Sequence, residues 1–175
     1  ETGGCTASGK SSFAIELADY FESPVIINAD ALQVYDCWKI LTDRPTEKKT
    51  MHDLYGHVSC HVNYSVGDWI KDVKNIFDLY SNNSKTFIFV GGTGLYFNAL
   101  LNGLSQIPQI PEEIRDFANS CDLSFFLEGL NKNDPDILEK IDTNNRRRVQ
   151  RAWEVLQATG KSILYWQSKN TSPLI

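Results

Sequence analysis

The sequence predicts an α/β protein, with a three-layer core built on a parallel sheet and a mainly helical second part. Two short apolar runs, residues 24–28 and 86–90, are typical of strands buried on both faces. Segments with helical periodicity follow both runs. Because strands that alternate with helices pair in parallel through right-handed crossovers, we divide the chain into a core over 1–107, a helical insert over 108–160 and a return segment over 161–175.

A phosphate-binding motif lies near the N-terminus and makes this core P-loop NTPase-like. Its glycines let successive backbone N–H groups point inward and bind an anion. Lys10 supplies a positive charge for the terminal phosphates, the Ser11 hydroxyl can ligate Mg²⁺, and the helix predicted over 11–21 directs its positive end at the same place. The alternative is a chance match in a flexible turn, against which the helix argues. The residues that match G-x-x-x-x-G-K-[ST] are Gly4, Cys5, Thr6, Ala7, Ser8, Gly9, Lys10 and Ser11.

A candidate acid–base group follows the strand over 24–28. A P-loop normally follows a buried strand, and residues 1–3 are too few to supply one, so we expect the first strand to be missing. The strand over 24–28 ends just before Asp30, at the carboxyl edge where open α/β sheets bind ligands. The Asp30 carboxylate is therefore a candidate Mg²⁺ ligand or general base, and the alternative is a cap for residues 31–35.

The next part of the core carries a second polar turn. Residues 36–64 read as irregular, and a capping box at Ser65 opens a helix that ends at about residue 80. The strand over 86–90 runs into a glycine-rich turn and a helix over 95–101, without the carboxylate that a nucleotide hydrolase places there to hold Mg²⁺. Thr93, within this turn, either offers its hydroxyl to a substrate or caps the helix.

The second half contains no further predicted strand. Asp134 and Pro135 are a helix-start signal, and a longer helix over 143–158 ends at Gly160. On this helix Arg147, Arg148 and Arg151 share the face opposite the apolar side chains, and three guanidinium groups on one face can bind successive phosphates. The alternative is an ordinary solvated face. The near absence of acidic residues among these arginines favours phosphate binding.

Composition limits the protein's class and surroundings. A net charge of −5 argues against nonspecific coating of nucleic acid, and no apolar run is long enough to span a membrane. No secretory signal is visible, and the scattered cysteines favour free thiols in a reducing compartment over disulfides. We therefore expect a cytoplasmic protein, with an organelle left open. His57 and His61 flank Cys60, but packing or surface roles are favoured over a metal site.

Taken in order, these segments resemble the tRNA dimethylallyltransferase (tRNA isopentenyltransferase) family. The loop over 4–11 resembles that family's G-P-T-A-S-G-K-[ST], with Cys5 in place of the proline. Residues 28–35 (NADALQVY) resemble S-A-D-S-x-Q-V-Y, residues 64–69 (YSVGDW) resemble Y-S-V-A-D-F, and residues 90–96 (VGGTGLY) match without change. Asp134-Pro135 and residues 148–155 (RVQRAWEV), followed by Thr159-Gly160-Lys161, resemble D-P and R-x-x-R-A-L-E-V…T-G-K.

The resemblance implies transfer of a dimethylallyl group from dimethylallyl diphosphate to N6 of the adenosine beside the tRNA anticodon. The P-loop with Mg²⁺ would hold the leaving diphosphate, Asp30 would be the general base, and Lys10 and Thr93 would assist catalysis. The partners it implies are tRNA, through its anticodon stem-loop, and the prenyl donor, with no membrane; we also expect a monomer. The residues it implies for contact with tRNA are Asp30, Ala31, Leu32, Gln33, Thr93, Arg115, Arg147, Arg148, Val149, Gln150 and Arg151.

Three departures and three alternatives accompany this resemblance. The first strand is expected to be missing, the family continues beyond Ile175, and three adjacent arginines, 146–148, replace a more varied stretch. The alternatives are an adenylate isopentenyltransferase that acts on AMP, ADP or ATP, a P-loop kinase of small molecules, and a nonenzymatic RNA-binding module. Replacing Asp30 with alanine is expected to abolish turnover while tRNA affinity is kept.

Overall fold

The computed structural model describes residues 2–3, 9–38, 50–81 and 84–175, and the chain forms two compact units. The first, here called the sheet unit, comprises Glu1–Gly103 and Pro173–Ile175. The second, the helical unit, comprises Leu104–Ser172. The sequence-based divisions lay at 107 and 160, whereas in the structure the helical unit begins after Gly103 and continues to Ser172.

The sheet unit is built on a parallel sheet with strand order β1-β4-β2-β3. β2 pairs with β4 in the register Ile26↔Ile88 and with β3 in the register Ile26↔His52. The predicted strands over 24–28 and 86–90 are present, but β3 lies in a region predicted to be irregular, because three residues with an exposed methionine give no readable apolar run. The strands are β1 (Thr2–Gly3), β2 (Pro24–Asn28), β3 (Met51–Asp53) and β4 (Thr86–Gly91).

The prediction that residues 1–3 cannot supply the first strand is wrong. Thr2 and Gly3 form a two-residue strand that pairs in parallel with Val90 and Gly91 of β4. So short a strand carries almost no sequence signal, and it is recognisable only by its pairing with the longer strand beside it. The phosphate-binding motif therefore begins at the carboxyl end of β1, at the same edge of the sheet as the ends of β2 and β4.

Helices cover both faces of the sheet, as the predicted three-layer arrangement requires. The faces are distinguished by alternation along β2, since Ile26 packs in one apolar cluster with Ala14 and Ala18, whereas Val25 and Ile27 pack in another with Trp69. The helices are α1 (Lys10–Ala18), α2 (Val66–Leu79) and α3 (Gly94–Asn102), and a 3₁₀ turn spans Asp36–Trp38.

Helix α1 is shorter than predicted, and its buried face carries small side chains. It ends at Ala18 rather than at residue 21, and Ser23 beyond it has a positive φ of 54°. Ala14 and Ala18 are buried, whereas the Phe13 and Phe21 side chains are 55% and 44% exposed. The small alanines face the sheet, so the aromatic spacing in the sequence does not identify the core face.

Helix α2 starts with the predicted capping box. The Asp68 N–H donates to Ser65 Oγ (3.2 Å), and Asp68 Oδ2 accepts from the Ser65 N–H (3.1 Å) and hydroxyl (2.7 Å). The hydrogen bond from the Ser65 hydroxyl is the main reason that the pKa of Asp68 lies below its usual value of 3.8. The ionised carboxylate therefore stabilises the fold.

Asp68→Asn, which imitates the protonated carboxyl, is expected to lower the free energy of unfolding near pH 7 by about 1 kcal/mol. Because the folded-state pKa of Asp68 is lowered, its contribution is fully present above the ordinary value and is lost as the pH falls through the folded value. Thermal unfolding of both proteins between about pH 7 and pH 3 measures the difference. If the difference in stability between the two proteins stays constant down to about pH 3, this assignment is contradicted.

The helical unit contains no strand among its described residues, in agreement with the sequence. Its core is formed by side chains that include Phe126, Leu130, Val149 and Trp153. The predicted helix over 143–158 begins later, because the Asn145 side chain caps it by accepting from the Arg148 N–H. The helices are α4 (Glu112–Ser120), α5 (Leu123–Asn133), α6 (Pro135–Leu138), α7 (Arg146–Thr159) and α8 (Ile163–Gln167).

Two further expectations concern α6 and the membrane. Pro135 is the first residue of α6, as predicted, but the Asp134 side chain makes no capping bond, and its buried Oδ2 has no hydrogen-bond partner. In the described parts of the chain, no helix is both long and apolar enough to cross a bilayer.

Candidate active site and arginine-lined cavity

Three polar segments leave the carboxyl edge of the sheet side by side. The phosphate-binding motif follows β1, Asp30 follows β2, and Thr93 follows β4. β4 lies between the other two strands, with Gly3 opposite Gly91 and Asn28 opposite Val90. Since neighbouring strands are about 4.8 Å apart, the strand ends that carry the motif and Asp30 are separated by about 10 Å.

The structure describes only the last part of the phosphate-binding motif. Gly4, Cys5, Thr6, Ala7 and Ser8 lie outside the described residues. Gly9 is the N-cap of α1 with a positive φ of 78°, which suits glycine, and Lys10 is the first helical residue. Gly9 has no side chain to cap α1, so a bound anion is a natural partner for its first N–H groups. Ser11 follows in the first turn of the helix.

The two carboxylate oxygens of Asp30 have different surroundings. Oδ1 accepts from the backbone N–H of Leu32 (2.9 Å) and of Gln33 (3.4 Å). Among the residues that the structure describes, no hydrogen bond reaches Oδ2. The side chain is half-buried. The alternative that Asp30 caps the following turn thus describes one oxygen, Oδ1.

Asn28, which the sequence reading did not single out, fixes the backbone around Asp30. Its buried side chain donates to the carbonyls of Asp30 and Leu54, each at 3.0 Å, and accepts from the Asp30 N–H at 3.0 Å. The indole N–H of Trp69 donates to the Asn28 carbonyl at 2.8 Å. The available signal was a polar residue at the end of an apolar strand.

Thr93 joins the end of β4 to the Asp30 turn. Its Oγ1 accepts from the Ala31 N–H (2.9 Å), and its own N–H donates to the Ala29 carbonyl (3.1 Å). Although Thr93 is the N-cap residue of α3, its side chain makes no capping bond there. The hydroxyl therefore keeps its own proton to donate. Gly91 makes the close approach possible, because a Cβ there would overlap the Ala29 backbone.

Thr93→Val is expected to leave the Ala31 N–H without its partner while keeping the side-chain volume. The cost is about 1–3 kcal/mol, which for a chain of this size lowers Tm by roughly 2–10 °C. We expect the rate of a reaction at this site to fall more than it does in Thr93→Ser, which keeps the hydroxyl. Unfolding scans and initial rates measured on both variants test this, and equal behaviour of the two contradicts a role for the hydroxyl.

Two tyrosines near Asp30 were not predicted. Burial, followed by the charge of Asp30, raises the pKa of Tyr55. Burial raises the pKa of Tyr96 to about 12, with smaller effects of Tyr35, Asp30 and Asp68. The Tyr96 ring stacks on Trp69 with a centroid distance of 4.5 Å. Both phenols therefore stay protonated near neutral pH. Their proximity to Asp30 depends on chain segments far apart in sequence.

The residues that follow Asp30 differ in exposure. The Leu32 side chain is 59% exposed, whereas Ala31 and Gln33 are half-buried. The Gln33 carbonyl accepts from the Gly56 N–H at 2.9 Å, so this turn is tied to the segment that follows β3. The structure thus exposes an apolar side chain two residues after Asp30.

His57 and Cys60 both have partners within the protein. His57 Nε2 lies 3.3 Å from Asp72 Oδ2 and 3.2 Å from the Tyr64 hydroxyl. Cys60 forms a disulfide with Cys37, which contradicts the expectation of free thiols for this pair, because folding brings two cysteines 23 residues apart together. Cys121 is free. Donor atoms of Asp36, Cys37 and Cys60 lie within 4.8 Å of one another, but the two sulfurs are already bonded to each other.

The predicted arginine face lines a cavity of about 480 Å³ within the helical unit. Arg115 of α4 lies near Arg151, since its charge contributes to lowering the pKa of Arg151 after the larger effect of burial. Arg151 also faces Glu154 at 3.7 Å. The cavity combines positive charge with an apolar wall. Its lining residues are Lys140, Ile141, Arg147, Arg148, Arg151, Ala152, Ile163, Leu164 and Gln167.

Arg146, Val149 and Gln150 have other positions. The Arg146 guanidinium donates to the carbonyl of Cys121 (2.8 Å) and to Gln150 Oε1 (2.8 Å). Val149 is fully buried, and Gln150, 8% exposed, donates to Glu154 (2.8 Å). The implied contact of Val149 and Gln150 with tRNA therefore does not involve exposed side chains, because both point into the core of the helical unit.

Comparison with known proteins decides the family. A family model described as IPP transferase matches residues 33–174. The chain belongs to the IPP transferase family. This confirms the family predicted from the motifs. Proteins named tRNA dimethylallyltransferase in Ruegeria and Jannaschia species are each 45% identical over 175 residues, covering 98% of this chain and 58% of the relative. The chain thus spans less than two thirds of these IPP transferases.

Solved structures agree with the predicted fold class. One, a eukaryotic dimethylallyltransferase acting on tRNA, superposes with a TM-score of 0.81 and 30% identity, over 98% of this chain and 44% of that one. A tRNA isopentenylpyrophosphate transferase from Staphylococcus epidermidis gives a TM-score of 0.54 and 27% identity, over 98% of this chain and 59% of that one. The α/β fold of this IPP transferase family member is thereby confirmed.

Proposed function

We propose that this protein transfers a dimethylallyl group from dimethylallyl diphosphate to N6 of the adenosine beside the anticodon of tRNA. The observation that carries the proposal is the carboxyl edge of the sheet, where the start of α1, the open Asp30 oxygen and the Thr93 hydroxyl follow neighbouring strands. The relatives named tRNA dimethylallyltransferase support the same reaction.

The start of α1 would hold the diphosphate of the donor. Its first N–H groups and the helix dipole favour an anion, and Lys10 adds a positive charge. Ser11 would hold Mg²⁺ together with the diphosphate, and the ion would stabilise the negative charge that grows on the departing group. Because the diphosphate leaves whole, the reaction needs no group that positions an attacking water, in keeping with the glycines that end β4.

The second reactant would be activated by Asp30. As N6 of adenosine forms its bond to the allylic carbon, the bond from that carbon to the diphosphate oxygen breaks, and the N6 proton passes to Asp30 Oδ2. Oδ1 stays bonded to the backbone of the turn and so fixes the orientation of the base. Thr93 would donate its hydroxyl proton to the target adenine or to the leaving group.

The helical unit would bind the RNA backbone. Arg147, Arg148 and Arg151 present guanidinium groups at one cavity, which suits a strand of successive phosphates. Moving an adenine out of its stack costs a few kcal/mol, and backbone contacts offset that cost. A small acceptor such as AMP has no need of these arginines, which is why they favour a polynucleotide over the adenylate isopentenyltransferase reaction.

Three parallel reactions test the proposal. The protein, Mg²⁺ and dimethylallyl diphosphate are incubated with an anticodon stem-loop or with AMP, and a third sample receives labelled ATP and small acceptors in place of the donor. We expect prenylated adenosine in the stem-loop alone. Prenylation of AMP but not of RNA would identify an adenylate isopentenyltransferase, phosphate transfer would identify a kinase, and RNA binding without any transfer would identify a binding module.

We further propose that the protein acts as a monomer in the cytoplasm. The chemistry requires tRNA and a water-soluble diphosphate donor, both of which are met there. Light scattering of the purified protein measures the oligomeric state, and localisation of a tagged full-length protein tests the compartment.

A further inference from the structure

We propose that Cys37 and Cys60 are a reversible thiol–disulfide site that fastens the Asp30 turn to the segment following β3. The effect on turnover rests on the proposed function, whereas the effect on local order does not. Both cysteines are exposed and form a disulfide with a Cα–Cα distance of 6.1 Å. Small-molecule thiols and disulfides, such as a glutathione-type pair, can therefore reach both sulfurs.

The position of the disulfide gives it influence over the proposed base. Between Asp30 and Cys37 the chain is held to residues 56–58 by three backbone hydrogen bonds: from Gly56 N–H to the Gln33 carbonyl (2.9 Å), from Val58 N–H to the Val34 carbonyl (3.0 Å), and from Asp36 N–H to the Val58 carbonyl (2.9 Å). The disulfide closes this short ladder one residue beyond its last bond on one strand and two beyond it on the other.

This crosslink lies at the end of a short pairing that is buried at Val34 and Val58 and becomes exposed only beyond them, at Asp36 and Cys60. An isolated bridge, Tyr35↔Val58, is the sheet-like contact there. A covalent link at the end of such a ladder reduces fraying of the neighbouring hydrogen bonds. The reason is that the crosslinked segment gains less conformational entropy when these bonds open. The turn that begins at Asp30 and passes through Ala31–Gln33 is thus more ordered in the oxidised protein, and binding an acceptor costs less ordering entropy.

The chemistry is a thiol–disulfide exchange with a low-molecular-weight disulfide. A thiolate of one cysteine attacks the small disulfide and releases one small thiol, and the second cysteine then displaces the other small thiol and closes the Cys37–Cys60 bond. Two protein thiols are oxidised, one small disulfide is reduced to two thiols, and the two protein protons pass to those thiols.

Asp36 favours Cys37 as the sulfur that attacks first. Asp36 Oδ1 lies 3.0 Å from the Cys60 sulfur, so in the reduced protein it accepts the Cys60 S–H, and its negative charge disfavours the Cys60 thiolate. Cys60→Ser is therefore expected to form a mixed disulfide at Cys37 several-fold faster than Cys37→Ser forms one at Cys60.

The test compares the full chain, oxidised or reduced by a glutathione-type redox buffer, with Cys37→Ser, Cys60→Ser and the control Cys121→Ser. Peptide mapping of the oxidised protein should recover Cys37 linked to Cys60. Oxidation should raise Tm by roughly 5–10 °C and slow amide exchange of Gly56, Val58 and Asp36 at least tenfold. Both changes should vanish in Cys37→Ser and in Cys60→Ser, and they should persist in Cys121→Ser. Loss of the effect in both of the first two variants also excludes a disulfide between Cys5 and either cysteine of the pair.

The functional readout is prenyl transfer to the stem-loop. Oxidation should lower KM for the stem-loop about three- to tenfold and leave kcat within about twofold. Unchanged amide exchange between redox states, or a reduced pair that stays dithiol in the oxidising buffer, would overturn the proposal. A changed exchange with an unchanged KM would overturn its regulatory part. Absence of transfer in both states contradicts the proposed function alone, and amide exchange then still decides whether the disulfide orders the turn.

Discussion

Asp30→Asn is expected to lower kcat for prenyl transfer by about 10²–10⁴-fold while leaving stem-loop affinity within about twofold. The amide oxygen can still accept from the N–H groups of Leu32 and Gln33, so the turn should keep its conformation. The amide cannot take up the N6 proton at neutral pH. Single-turnover rates and a binding titration measure the two effects separately.

Asparagine is a sharper substitution here than alanine. Alanine removes the Oδ1 contacts as well as the base, so a loss of rate in Asp30→Ala combines a lost proton acceptor with a disordered turn. Asp78→Asn, on the exposed surface of α2, is a matched control for charge removal and should keep full turnover. Asp30→Asn with a rate near that of the unmodified protein would remove Asp30 as the base.

Arg147→Gln combined with Arg148→Gln is expected to weaken stem-loop binding by about 10- to 100-fold and to make the affinity less dependent on salt. Each lost phosphate contact lowers the slope of log K against log salt concentration by about 1. Both side chains are exposed and line the cavity, so their replacement should leave the helical unit folded. Affinity measured at several salt concentrations gives the slope.

Arg146→Gln is the informative control, because it removes one guanidinium charge from the position next to Arg147. Arg146 donates to the carbonyls of Ala118 and Cys121 and lies over the Phe126 ring, 5.7 Å from its centroid. Its loss should lower Tm and leave the salt slope nearly unchanged. Equal slopes for the double variant and the unmodified protein would show that the arginines at the cavity do not contact phosphate.

Local sequence patterns predicted much of the fold, but they did not predict the short strands, whose pairing partners are distant in sequence. The apolar runs of β2 and β4 and the capping box of α2 each carry their signal within a few adjacent residues. β1 has two residues and β3 has three, and both become strands only because a longer strand lies beside them. Their pairing partners are distant in sequence, so no local window contains the cause.

The candidate site shows the same division. Asp30, Thr93 and the arginine face were predicted because local sequence patterns locate them. The end of an apolar run marks the first two, and helical periodicity marks the third. Asn28, Tyr55 and Tyr96 were not, since their relation to Asp30 arises from packing between separate segments. The disulfide escaped for the same reason, because cysteine spacing alone does not reveal which side chains meet.

The contact between Gly91 and Ala29 has a consequence for protein engineering. With no room for a Cβ at Gly91, the turns that carry Asp30 and Thr93 are joined by backbone contacts and cannot be moved apart by ordinary side-chain replacement. Attempts to change the acceptor that we propose for this site should therefore leave this junction unaltered. Substitutions are better introduced at Leu32, because its side chain is exposed rather than buried in the core.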